Sequence, residues 1–301
     1  MSHLFEKYLL HPIERPITDE DAKIELICSK DHPMMDYFYE SCYYRHDYVI
    51  CDTIYALPYN ELFCFMSLNN DDEALDATVT MEINGQTLTV SRPCKIQIPA
   101  FVPHGNITIT DVKTPVFSYV AGFGKEHVGV PERYWKTEDV LPLEEIIIYN
   151  NADTTGNPDP DVNEPQHWVI KCLANKTMKG DISGIMRRFF ETGKAWLYVR
   201  RGHTHGYPEA LGYYGTDAWH PYELGADITQ YVGGHPFKIN KPTLCYFPAY
   251  VPHCPIVVNK VYKQILWHSF GRAIGTFNAA KTVDLSNMNS LDDPIELEEV
   301  W

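Results

Sequence analysis

The chain has 301 residues, of which 45% are hydrophobic and 13% aromatic. That is enough apolar matter for two packed cores in domains of about 150 residues. Its formal net charge is −15 and it contains no basic run. This excludes nucleic acid and anionic membrane surfaces as partners, because both need clustered Lys and Arg. The first residues, MSHLFEKYLLHPIERP, have no signal-peptide apolar core. Leu244 to Val258, the longest uncharged apolar stretch, carries Pro248, Pro252, Pro255 and His253, so it reads as no membrane-spanning helix. The expected setting is soluble and cytoplasmic.

In chain order, residues 1–45 read as a polar arm, with a short helix expected after the cap-rich run Thr18-Asp19-Glu20-Asp21. Strand signals begin near Asp47 and continue to about Phe123. Within them Thr78 to Val90 alternates around Asn84-Gly85, a strong hairpin signal. Pro142 to Tyr149 reads as a short helix. Residues 151–165, NADTTGNPDPDVNEP, are rich in turn formers and nearly devoid of apolar side chains, as expected of a linker. Strands resume at about His167 and run to Gly271, and Ala273 to Trp301 looks partly helical with an acidic end. The domain reading is 1–150, a linker at 151–165, and 166–301. The eight cysteines include no C-x2-C pair, so they read as reduced thiols packed as small hydrophobes, with a weak hint of a reducing habitat.

Part of the chain occurs twice. Ile83 to His104 (INGQTLTVSRPCKIQIPAFVPH) aligns without a gap to Val232 to His253 (VGGHPFKINKPTLCYFPAYVPH) at an offset of 149. Gly85/Gly234, Pro93/Pro242, Pro99/Pro248, Ala100/Ala249, Val102/Val251, Pro103/Pro252 and His104/His253 are identical. Two copies of one folding unit explain this register.

The chemistry sits in the second copy. His203 and His205, two apart, share one face of a strand. Glu209 follows across a turn, and His253 ends the proline-flanked Pro248-Ala249-Tyr250-Val251-Pro252. Three imidazoles and a carboxylate form a mixed N/O ligand set for one divalent transition metal, with manganese, iron or zinc preferred and nickel accommodated. Four protein ligands on a six-coordinate ion leave two positions for catalysis. Matching Glu209 to Glu73 in the first copy puts Ser67 and Asn69 where His203 and His205 stand, so the first site reads as degenerate. The same matching implies an insertion around Gly215 to Asp227, an aromatic loop with Trp219, His220 and Tyr222 that reads as a candidate lid.

Arg201 has the parity of His203 and His205 and is expected to face the pocket, where it would hold a substrate carboxylate or enolate. Tyr213 shares the parity of Glu209 if the strand continues, and its phenol would transfer a proton. His268, on a late strand, is the third catalytic candidate, with a packed core histidine as its alternative.

These motifs resemble the cupin superfamily. His203-x-His205-x3-Glu209-x5-Gly215 resembles its first motif and Pro248-x-Tyr250-x2-His253 its second. Tyr250 stands where the second motif has glycine, Val257 where it has asparagine, and no glycine precedes His203 by six residues. The resemblance implies an all-β bicupin, two tandem double-stranded β-helix (jelly-roll) barrels with a metal in the second, acting on a small molecule and compatible with a homodimer. The reaction implied first is non-oxidative C–C cleavage, of hydrolase or lyase type, on an enolisable oxo- or hydroxy-substrate such as a cyclic diketone or phenol. A dioxygenase using iron, nickel or copper is the second reading. A metal-dependent binding module without catalysis is the third.

Overall fold

The computed structural model describes residues 3–69, 71–137, 142–150, 166–172, 178, 180–199, 202–272 and 281–282. The expected linker at 151–165 and most of the tail after 273 lie outside them. The architecture is the expected one, two antiparallel β-barrels each closed from a pair of sheets. In the first barrel, a six-stranded sheet runs in spatial order Ile147–Tyr149, Cys94–Ile98, Glu61–Ser67, Val116–Gly122, Phe38–Tyr44, Lys23–Cys28. It faces a four-stranded sheet of Tyr48–Tyr55, His104–Thr110, Thr78–Ile83 and Gln86–Val90. The second barrel repeats this with Thr243–Phe247, Glu209–Gly215, Ile265–Arg272, Ile182–Phe189 and Gln166–Cys172 in one sheet. Its other sheet contains His235–Ile239, Ala226–Val232, His253–Val261 and His203–Thr204.

The repeat is visible in backbone detail. Asn84 and Gly85, with φ of 50° and 73°, turn the first hairpin, and Gly233 and Gly234, with φ of 59° and 77°, turn its counterpart. Both dipeptides supply the paired positive φ of a two-residue hairpin turn. Phe101 and Tyr250 occupy equivalent repeat positions, and both adopt positive φ, 69° and 67°. This accounts for the tyrosine that stands where the resemblance expects glycine. The backbone keeps the left-handed conformation, and it is held by Tyr250 N–H donating to His205 O at 2.8 Å. Phe101 N–H donates to Leu57 O in the same way at 2.7 Å.

The two six-stranded sheets pack against each other, which explains why their central strands are apolar on both faces. In Glu61–Ser67, Phe63 and Phe65 point into the first barrel, while Leu62, Cys64 and Met66 face the seam between barrels. In Glu209–Gly215, Leu211 and Tyr213 point into the second barrel, while Ala210 and Tyr214 join the seam. The seam also holds polar groups. Arg188 Nε donates to Asp72 at 2.5 Å, Tyr43 OH donates to Gly215 O at 2.8 Å, and Ile182 N–H donates to Gln97 Oε1 at 2.8 Å.

Several expectations are corrected. No helix follows Thr18–Asp21. Asp21 closes a local turn by accepting Thr18 N–H at 2.7 Å, and Lys23–Cys28 then pairs with Phe38–Tyr44. Strands therefore begin well before Asp47. A capping signal is also a turn signal, and sheet pairing decided between them. Pro142 to Tyr149 holds only a 3-10 turn, Leu143–Glu145, before Ile147–Tyr149 joins Cys94–Ile98. The N-terminal arm does not stay with the first barrel: Leu9–Leu10 pairs with Thr243–Phe247 and extends the second barrel's sheet. Finally, residues 216–225 are no insertion. They connect the same two strands as residues 68–77, at equal length.

Candidate metal centre

His203, His205, Glu209 and His253 each bring a ligand atom to within 4.8 Å of the others. Strand pairing does this. His203 sits directly opposite His253, and Glu209 opens the strand paired with Thr243–Phe247 at Phe247. His205, Glu209 and His253 are buried, while His203 is partly open to solvent.

The imidazoles are fixed from behind. Nδ1–H of His205 donates to Tyr207 O at 2.7 Å, and Nδ1–H of His253 donates to Val251 O at 2.8 Å. The Tyr207 ring stacks on His205 (3.9 Å, 6°), and the Phe247 ring stacks on His253 (4.3 Å, 8°). With Nδ1 carrying the proton, each Nε2 presents a lone pair. Those nitrogens lie 3.1 and 3.0 Å from Glu209 Oε2, itself an acceptor. Glu209 is itself buried, and as a carboxylate it offers only acceptors to those nitrogens. Lone pairs converging on an anion lack a shared cation, and a divalent ion satisfies all of them. The donor set and its backing therefore fit a divalent metal ion.

Arg201 falls outside the described residues. Tyr213 does line the second barrel on the Glu209 face, four residues along. Strand rise puts it about 13 Å from that end, and its hydroxyl donates to Gln230 Oε1 at 2.7 Å. His268 is turned away. On its strand Ile265 and Trp267 face the barrel interior, so alternation sends Leu266, His268 and Phe270 into the seam. There His268 Nε2 hydrogen-bonds Tyr39 OH at 2.8 Å and stacks on Tyr119 at 4.4 Å, and burial keeps its imidazole neutral. The loop after Gly215 is not a lid over the donors, since Glu209 and Gly215 lie at opposite ends of one strand. Its Trp219 rests on Arg45 of the first barrel, 4.3 Å from guanidinium carbon to ring centre.

Sequence reasoning missed Arg187. It lies between Ile185 and Phe189 on the inward face of its strand, is 7% exposed, and sits 4.9 Å from the Tyr198 ring. It is a cation inside the metal-bearing barrel, and its alternation with two apolar residues was the available signal.

The first barrel also corrects the matching of the two copies. Tyr55 pairs with His104 as His203 pairs with His253. Glu61 pairs with Ile98 and Gly122 as Glu209 pairs with Phe247 and Gly271. The counterpart of Glu209 is therefore Glu61, not Glu73, and Tyr55-x-Leu57-x-Tyr59-x-Glu61 mirrors His203-x-His205-x-Tyr207-x-Glu209. Glu73 lies at the surface with Arg92 and Asn150. The register of Tyr and Glu at offset 148, one residue from that of the repeat, was the missed signal.

The chain has the fold of a bicupin, two cupin barrels in tandem. No family model and no curated protein matches the sequence, but solved structures match the fold. AerE from Microcystis aeruginosa aligns with a TM-score of 0.50 at 11% identity, over 88% of this chain and 99% of that one. A variant of oxalate decarboxylase from Bacillus subtilis aligns with a TM-score of 0.51 at 14% identity, over 91% of this chain and 82% of that one. A cupin 2 conserved barrel domain protein from Leptotrichia buccalis gives 0.40 at 11% identity, over 87% and 93% of the two chains.

Proposed function

We propose that the second barrel is a metal-dependent active site that cleaves a C–C bond of a small, enolisable oxo- or hydroxy-substrate without oxidation. A cyclic 1,3-diketone, or a phenol in its keto form, is the preferred substrate class. The observation that carries this reading is the ligand set: four protein donors, two of them, His205 and His253, oriented by Nδ1–H donation to backbone carbonyls, with His203 at the open side. A divalent ion bound there, manganese, iron or zinc by its mixed N/O donors, supplies Lewis acidity to substrate oxygens.

The protein's own groups define the rest. Tyr207 and Phe247 clamp the His205 and His253 rings, so the donors keep one geometry through turnover. Arg187 places a cation in the same barrel, suited to a carboxylate or enolate. In the hydrolytic form of the reaction, water adds to one carbonyl carbon. The bond to the central carbon breaks, its electron pair leaves as the enolate of the second carbonyl, and protonation gives a ketone and a carboxylic acid.

Cys254 follows the ligand His253 and is buried, and burial and Glu209 push its thiol well above the usual range, so it stays protonated and inert beside the donors. Elemental analysis of protein purified without oxygen, followed by a screen of cyclic and acyclic β-diketones with and without O2, tests the proposal. Turnover that needs O2 would establish the dioxygenase reading, and metal binding without turnover of any candidate would leave a binding module.

A further inference from the structure

In the first barrel the four donor positions hold Tyr55, Leu57, Glu61 and His104, so two nitrogen ligands are gone. The vacated space has been rebuilt. His127 enters from the segment after strand Val116–Gly122, and its Nε2–H donates to Glu61 Oε1 at 2.6 Å. His104 Nε2 lies 2.6 Å from Glu61 Oε2, which also accepts Tyr55 OH at 3.1 Å. The two imidazoles thus bind opposite oxygens of one carboxylate. His104 Nδ1 lies 2.8 Å from Val102 O, as His253 Nδ1 lies 2.8 Å from Val251 O, so this histidine–carboxylate pair is common to both barrels and His127 is what the first adds.

A cavity of about 730 Å³ opens at this centre. That size suits a small organic ligand. Its walls are apolar, from Phe38, Tyr44, Ile50, Phe63, Ile107 and Val120. His127 borders it with its side chain 33% exposed, and the ring lies 4.4 Å from Phe38 and 5.1 Å from Tyr55, centre to centre. Glu61 takes the Nε2 side of this imidazole, and the exposed part of the ring borders the cavity. In a chain of net charge −15, the lining nevertheless holds Lys23, Lys30 and Lys125 alongside His127, against Glu40, Glu61 and Glu126.

We propose that the first barrel is a second, metal-independent binding site for a small organic anion with an apolar body, its charged oxygens held by His127 and its body by the Phe38–Phe63 walls. Burial works against the charged form of His127, but the Glu61 carboxylate outweighs it and raises the imidazole pKa, favouring the protonated ring at the cavity wall. A charge-assisted hydrogen bond of this kind discriminates an anion from its neutral analogue by about tenfold or more.

The probes are benzoate and its uncharged analogue benzyl alcohol, titrated calorimetrically into the full chain carrying His203→Ala, in chelator, so that metal in the second barrel takes no part. The expected result is one benzoate bound per chain, at least tenfold tighter than benzyl alcohol. His127→Gln should reduce benzoate affinity at least tenfold, and Ile50→Trp, which fills the cavity, should abolish binding of both probes. Both variants are checked for an unchanged circular dichroism spectrum. Should one misfold, the other decides. Absence of benzoate binding, equal affinity for the two probes, or benzoate binding unaffected by either folded variant would overturn the proposal.

Discussion

Glu209→Gln should change the stability of this protein in opposite directions with and without metal. In chelator at pH 8, above the ordinary imidazole range, Glu209 presents an anion to the Nε2 lone pairs of His205 and His253 at 3.1 and 3.0 Å. A glutamine amide at that position donates one N–H to either nitrogen and removes the anion. A net hydrogen bond is worth about 1 kcal/mol, and in a domain of this size that is roughly 2–4 °C in Tm. With metal at a hundredfold excess over its Kd, the wild type instead gains about 2.7 kcal/mol, or roughly 5–10 °C, most of which the glutamine variant forfeits. Differential scanning calorimetry of both proteins in chelator and in excess Mn2+ or Zn2+ gives four Tm values. The variant should lead in chelator and trail in metal. The same order under both conditions would refute the lone-pair reading of the site.

Further outcomes follow from particular contacts. His203→Ala or His253→Ala should lose the bound metal and the activity while circular dichroism stays unchanged; elemental analysis showing metal retained would remove these residues from the ligand set. His268→Phe should leave metal content and kcat as they are and cost about 0.5–1.5 kcal/mol by removing one hydrogen bond of the Tyr39 hydroxyl, which keeps its bond to Tyr214, read by urea denaturation. Tyr213→Phe should cost about 1–2 kcal/mol by leaving Gln230 Oε1 without its donor, with metal content unchanged. Burial works to raise the Glu61 carboxyl, yet hydrogen bonds from His104 and His127 depress it to about 2. Its contribution is therefore complete above the unfolded carboxylate range near pH 4.5 and is lost as pH falls toward 2. Wild type and Glu61→Gln should converge in stability over that interval, and parallel acid-unfolding curves would contradict the pairing.

The fold and the metal donors were legible because they rest on short-range periodicity. His203 and His205 two apart, and the glycine, prolines and histidine shared by both copies, are local facts that barrel strands translate directly into shared faces. What escaped reading depended on pairing between distant segments. Lys23–Cys28 became a strand because Phe38–Tyr44 lies beside it, against a local signal for a helix cap. His268 could not be assigned a face without knowing that its strand is buried on both sides, which makes inward and seam positions equally apolar. Glu73 drew the eye because Glu-Ala-Leu recurs in both halves, whereas Tyr55 to Glu61 carries the true register with its histidines already replaced.

The pairing of Leu9–Leu10 with Thr243–Phe247 ties the order of synthesis to the order of assembly. This early segment completes a sheet whose partner strand is made more than two hundred residues later. At typical elongation rates the arm waits roughly 10–50 s, through the completion of the first barrel, before its place exists. A fragment beginning after residue 165 would expose the edge of Thr243–Phe247 as an unpaired strand, the kind of edge that recruits other chains. The second barrel is therefore expected to be soluble only when the N-terminal arm is supplied, in cis or as an added peptide.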